Sequence, residues 1–199
     1  MPPFLKKLEC YDSHYNGQPL TKLAFKLLLL TFVRSGEIRG ALWKEIDWDK
    51  AQWKIPAERM KMKEPHIVPL SKQSMALLKE IQKITGDSYG GFLFPSQQNP
   101  RKIMSENTFL RVLEILGYKG KATAHGFRST ASTILNENGF RSDVIERQLA
   151  HGERDQVRAA YNYAPYLPER KEMMNWWANY IDSIAIHNKR RVSKLKQSS

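Results

Sequence analysis

The stretch PLTKLAFKLLLLTFV, residues 19–33, constrains the fold more than any other part of the chain. Leucines and aromatics recur around most of its helical circumference rather than along one stripe. A helix apolar on most sides has to be enclosed by other elements. Pro19 suits its first turn, where a missing N–H costs nothing. The run is far shorter than the roughly 20 apolar residues that span a bilayer. It therefore reads as the buried centre of a globular domain. A chain of 199 residues, 41% of them hydrophobic, has the material for one such core. Arg34 stands at the end of this helix, just before Gly36, as a cation at the mouth of the core.

The rest of the pattern predicts a mainly α protein with a small antiparallel β-sheet, an α+β class. MPPFLKKLECYDSHYNGQ reads as a short helix closed by a turn at Asn16-Gly17. Trp53-Lys54-Ile55 and His66-Ile67-Val68-Pro69-Leu70 are strand-like, with Lys61 and Lys63 in the hairpin between them. Ser71 caps a helix that runs to about Ile84 and closes at Gly86. Phe92-Leu93-Phe94 is a short core insertion, and Ser105 starts a helix that Gly117 stops. Further helices are expected from Ala124 to Asn138 and after a Ser142 cap, followed by a turn at His151-Gly152 and helical turns over 155–163. Residues 168–186 carry Met, Trp, Tyr and Ile at three- and four-residue spacing, the mark of an amphipathic helix. The last segment, 187–199, holds five basic residues and no acid, and reads as a disordered tail.

A net charge of +12 and a pI near 9.8 point to a polyanionic partner. MPPFLKKLE lacks the apolar core of a secretory signal. Cys10 is the one cysteine, so no disulfide framework exists within the chain, and a reducing cytosol is the expected setting. His14, His66, His125, His151 and His187 are scattered and match no metal-ligand spacing, so no metal or other cofactor is expected.

Chemistry concentrates between residues 123 and 163. His125 and Arg128 are three apart at a helix start, where a guanidinium and free amides could hold a phosphate. His151 closes a short helix in the phrase LAHG, where an imidazolium also favours the helix end. Tyr161 and Tyr163 follow, two apart and therefore pointing in different directions. A phenol needs neighbouring cations or a base to attack anything, and Arg34, Arg128, His125 and His151 are the groups that could supply them. Lys61 could donate a proton to a leaving oxygen. Taken singly, each of these residues has an ordinary surface or packing explanation. Their order along the chain is Arg, hairpin Lys, His-x-x-Arg, His, Tyr.

That ordered set resembles the tyrosine recombinase (phage integrase) family, above all the prophage and genomic-island integrases that insert at tRNA genes. The likeness rests on VRSGEIRGALWKEIDW, KMKEPHIVPLS, AHGFRSTAST, LAHG and AAYNYAPYLPERKEMMNWWANYID, and covers about Thr21 to Asp182. It implies a site-specific DNA recombinase in which Arg34 and Arg128 clamp the scissile phosphate and Lys61 is the acid for the leaving oxygen. His125 handles the tyrosine proton, His151 donates a hydrogen bond, and Tyr161 is the nucleophile, with Tyr163 the weaker candidate. It also implies double-stranded attachment-site DNA as partner, self-association on DNA as a tetramer, and a bacterial, nucleoid-associated location. On this reading residues 1–186 form the catalytic domain, and the arm-binding and core-binding domains of relatives are absent upstream. A degenerate remnant that only binds DNA is the competing reading. The sequence departs from the family pattern at Thr31-Phe32-Val33, where threonine-glycine-leucine is commoner, and at Ala150, where many members have glycine. The first departure is expected to alter packing rather than chemistry. Tyr161 is the tenth residue after His151, where the ninth is more usual, a longer spacing shared by the prophage subgroup.

Overall fold

The computed structural model describes residues 1–86, 90–150 and 166–196. At its centre is α3 (Pro19–Thr31), with Leu23, Phe25, Leu27, Leu28 and Leu29 all buried. Before it come α1 (Pro2–Glu9) and α2 (Tyr11–His14), which lay Phe4, Leu5, Leu8 and Tyr11 into the same core. The expected turn lies where Asn16 takes a left-handed conformation. Gly17 is obligatory there, because a Cβ on it would fall 2.1 Å from the Tyr11 ring.

After α3 the chain makes a short helix α4 (Ser35–Arg39) and then a three-stranded antiparallel sheet in the order β1-β2-β3. The strands are β1 (Ile46–Asp47), β2 (Gln52–Ile55) and β3 (His66–Pro69). Trp53 pairs with Ile46 on one side and Val68 on the other, and its side chain is fully buried. Helix α5 (Lys72–Thr85) starts at Ser71, whose hydroxyl accepts from the Ser74 amide, and ends at Gly86. Leu93 and Phe94 enter the core as expected.

Helix α6 (Thr108–Ile115) begins three residues later than the sequence suggests, because the Ser105 hydroxyl and carbonyl first hold the amides of Asn107 and Thr108 in a turn. Helix α7 (Ala124–Glu137) is capped by the Thr123 hydroxyl, which accepts from the Gly126 amide at 2.9 Å. Ser142 does not cap α8 (Ser142–Gln148). It is the first helical residue, and its hydroxyl bonds the Asn136 side chain instead.

The last helix, α9 (Leu167–Lys196), is longer than the 168–186 expected, and its backbone is helical into the basic segment read as a disordered tail. It buries Met173, Met174, Trp177, Ala178 and Ile181 and packs on α1, α3, α5, α8 and β3 of its own chain. Among the described residues no helix is long and apolar enough to cross a membrane.

Candidate active site

A helix leaves its last carbonyls without intrahelical partners. At the end of α3 these groups are taken by side chains from three other helices. Trp177 of α9 donates its indole N–H to the Leu29 carbonyl at 2.8 Å. Gln148 of α8 donates to the Thr31 carbonyl at 3.3 Å, and Arg128 of α7 donates to that of Phe32. Phe32 itself ends the helix in the left-handed region, with φ 39° and ψ 34°. A phenylalanine is strained there, and the burial of its ring edge-on against Trp177, centroids 5.9 Å apart, offsets the strain. This is the position where the family pattern more often has glycine.

Two residues on, Arg34 occupies the position just ahead of α4 rather than the end of α3. Glu37 accepts both its backbone N–H, at 2.7 Å, and its Nη1 at 2.9 Å. Its Nη2 donates to the Ala150 carbonyl at 3.2 Å. Arg128 reaches the adjacent carbonyl, that of Leu149, at 2.7 Å. The two guanidiniums therefore converge on consecutive peptide groups, and His151 is the next residue of the chain. Ala150 holds this turn in a left-handed conformation, φ 49°, again where glycine is commoner in the family.

Arg128 is 3% exposed and its described hydrogen bonds go to carbonyls, while its Nε has no partner among the described residues. Burial, and then the nearby Arg34 cation, lower its pKa to about 10, with Glu37 and Glu146 acting the other way. Two neighbouring cations suit an anion, whose negative charge would relieve their mutual repulsion.

His125 is exposed in the first turn of α7. The Gly126 amide of that turn is committed to Thr123, so this N–H does not wait for a phosphate. Lys61 is exposed in the loop between β2 and β3, next to buried Met60. His151, Tyr161 and Tyr163 lie outside the described residues.

Residues 12–166 match the phage integrase family. The chain belongs to that family. Among similar curated proteins, the integrase of Enterobacteria phage P4 is 48% identical over 91% of this chain and 44% of its own length. Prophage integrase IntA of Escherichia coli (strain K12) is 44% identical over 81% of this chain and 38% of its own. The chain thus spans less than half the length of either relative. The fold is that of solved recombinases. XerA recombinase superposes with a TM-score of 0.61 at 20% identity, over 86% of this chain and 61% of its own. A lambda integrase dimer bound to a COC′ core site gives 0.56 at 16%, over 82% and 47%.

This integrase-family chain also has buried polar residues that the sequence pattern did not single out. Arg170 of α9 is fully buried, donates from Nε and Nη2 to the Gln148 side chain at 3.1 and 2.8 Å, and reaches the Ile67 carbonyl. Burial and the Arg147 cation lower its pKa to about 9. His66 meets the Gln148 carbonyl at 3.2 Å. Because a carbonyl only accepts, that ring nitrogen carries the proton. Gln148 thereby ties α3, α8, α9 and β3 together one residue before the turn that holds the arginines. A polar residue inside an amphipathic pattern was the one available hint. Its partners lie far away in the chain.

Proposed function

We propose that this chain is the catalytic domain, residues 1–186, of a tyrosine-type site-specific DNA recombinase that cleaves and rejoins attachment-site DNA to integrate or excise a mobile element. The observation that carries the reading is the convergence of Arg34 and Arg128 on the Leu149 and Ala150 carbonyls, directly before His151. Family membership, the net charge of +12 and the core-site DNA held by the lambda integrase dimer support it.

In this mechanism Arg34 and Arg128 hold the scissile phosphate and stabilise the charge that builds on its equatorial oxygens. The Tyr161 oxygen attacks phosphorus, its proton passes to His125, and His151 donates a hydrogen bond to the phosphate. The bond from phosphorus to the 5′ oxygen breaks, and Lys61 protonates that oxygen. A 3′-phosphotyrosyl link and a free 5′-hydroxyl result. The link conserves the phosphodiester energy, so a partner strand's 5′-hydroxyl can reverse the step without ATP. Strand exchange takes place in a tetramer on DNA, in the bacterial cytosol at the nucleoid.

The test is covalent trapping on a nicked duplex spanning the attachment core at the host tRNA gene, at low salt because phosphate contacts weaken steeply with salt. The readout is a shifted protein band on a denaturing gel. Loss of the band in Tyr161→Phe but not in Tyr163→Phe is the expected result. The reverse pattern keeps the reaction and moves the nucleophile. Binding to the duplex with no adduct from the unaltered chain makes it a DNA-binding remnant.

A further inference from the structure

The side chain of Arg59 fastens the loop that carries Lys61 to the Arg34 turn. Its Nη1 donates to the Glu45 carboxylate and its Nη2 to the Glu37 carbonyl. Its guanidinium lies against Gly40, where a Cβ would stand 3.2 Å from Nη2 and 3.3 Å from Nε. Both anchors are buried. Glu45 is buried and also accepts from the indole of the fully buried Trp53 at 2.9 Å. Glu37 is buried, and its carboxylate holds the Arg34 guanidinium and backbone amide. Immediately after Arg59, Met60 is 3% exposed, and beyond it Lys61, Met62 and Lys63 are exposed. The loop then turns back through Lys63, whose amide donates to the Met60 carbonyl at 3.1 Å and whose φ is 57°. The exposed part of the loop therefore begins at Lys61, two residues from a guanidinium bonded to the same glutamate that orients Arg34.

We propose that Arg59 is a positioning residue that sets the place of the Lys61 ammonium relative to the phosphate held by Arg34. The inference rests on the strand-transfer reading above. As the tyrosine oxygen bonds to phosphorus, the bond to the 5′ oxygen breaks and a proton moves from Lys61 Nζ to that oxygen, leaving a neutral amine and a 5′-hydroxyl. A proton donor contributes about 10²–10⁴-fold to such a step, and only when it is held within reach. Where sulfur replaces the bridging 5′ oxygen, the leaving thiolate needs no proton. A defect that acts through Lys61 therefore disappears on the sulfur substrate, and a defect of folding or of Arg34 does not.

The experiment compares adduct formation by the full chain on nicked duplexes with oxygen or sulfur at the bridging 5′ position. The variants are Lys61→Ala, Arg59→Lys and Gly40→Ala. Lysine at 59 keeps the charge but lacks the planar fork that meets two acceptors. Gly40 has φ −95°, so alanine is conformationally allowed there and only nudges the guanidinium. On oxygen, Arg59→Lys is expected to lose about 10²-fold and Gly40→Ala about tenfold. On sulfur, both return to the rate of the unaltered chain, as Lys61→Ala does. An Arg59→Lys defect equal on both substrates overturns the inference, and so does no defect on either. If Arg59→Lys does not fold, Gly40→Ala decides by the same criterion. A Lys61→Ala defect that sulfur does not repair removes Lys61 as the acid and the inference with it. No adduct from the unaltered chain on either substrate overturns the strand-transfer reading itself.

Discussion

Replacing Arg128 with methionine removes a buried cation while keeping an unbranched side chain of similar reach. Two effects on stability oppose each other. The guanidinium donates to the carbonyls of Phe32 and Leu149, and hydrogen bonds from a charged donor contribute about 1.5–3 kcal/mol each, so about 3–6 kcal/mol is lost. Against this, keeping the group charged is costly. An ordinary arginine has a pKa of at least about 12.5, and each unit below it costs about 1.36 kcal/mol. Arg128, at about 10, therefore gives back about 3 kcal/mol when it is removed. The net loss of stability is about 0–3 kcal/mol, small for a residue so deeply buried. The loss in adduct formation should be far larger, about 10²–10³-fold, as when one preorganised donor to a developing oxyanion is deleted. Urea unfolding supplies the first number and single-turnover trapping on a nicked attachment duplex the second. An adduct rate within a few-fold of the unaltered chain would refute the reasoning. A stability loss well above about 6 kcal/mol, beyond the range expected from its hydrogen bonds, would show instead that Arg128 is held for the fold.

Two further outcomes follow from groups near the same turn. Burial, with the Arg170 and Arg147 cations, pushes the pKa of His66 well below that of a free imidazole. The unfolded chain thus binds a proton below about pH 6.5 that the folded chain refuses. Stability should be flat above that pH and decline as pH falls below it, at up to about 1.4 kcal/mol per pH unit. His66→Gln should flatten that part of a stability-against-pH curve, and an unchanged slope sinks the assignment. At Ala150, left-handed backbone costs an L-residue about 1–2 kcal/mol, while glycine loses about 0.4–1 kcal/mol through the freer unfolded chain. Ala150→Gly should therefore raise the denaturation midpoint by an amount equivalent to roughly 0.5–1 kcal/mol. A lower midpoint would mean that the strain is offset by contacts of the Ala150 methyl.

Short-range chemistry made much of the architecture legible from the residues. The central helix follows from apolar residues on most of its circumference, and its start from Pro19. The sheet follows from two β-rich runs, although β1, with two residues, is too short to announce itself. Ser71 reads correctly as a cap because capping is a local bond, whereas Ser142 reads wrongly because its hydroxyl has a competing partner in Asn136. Proximity of Arg34 to Arg128 could be inferred from resemblance and not from spacing, since 93 intervening positions say nothing about distance.

The residues alone determine which segments are helix or strand and which side chains could handle a phosphate, because those properties belong to single residues and their near neighbours. Folding determines what the arginines touch. Trp177 and Arg128 find carbonyls of α3's last turn and its cap across 148 and 96 positions of sequence, and Arg34 finds Ala150 across 116. The left-handed Phe32, the fully buried Arg170 and the Arg59 fastening arise in the same way. Each is a polar or strained group tolerable only where a distant element supplies its partner, and no local pattern records where that element will come to rest.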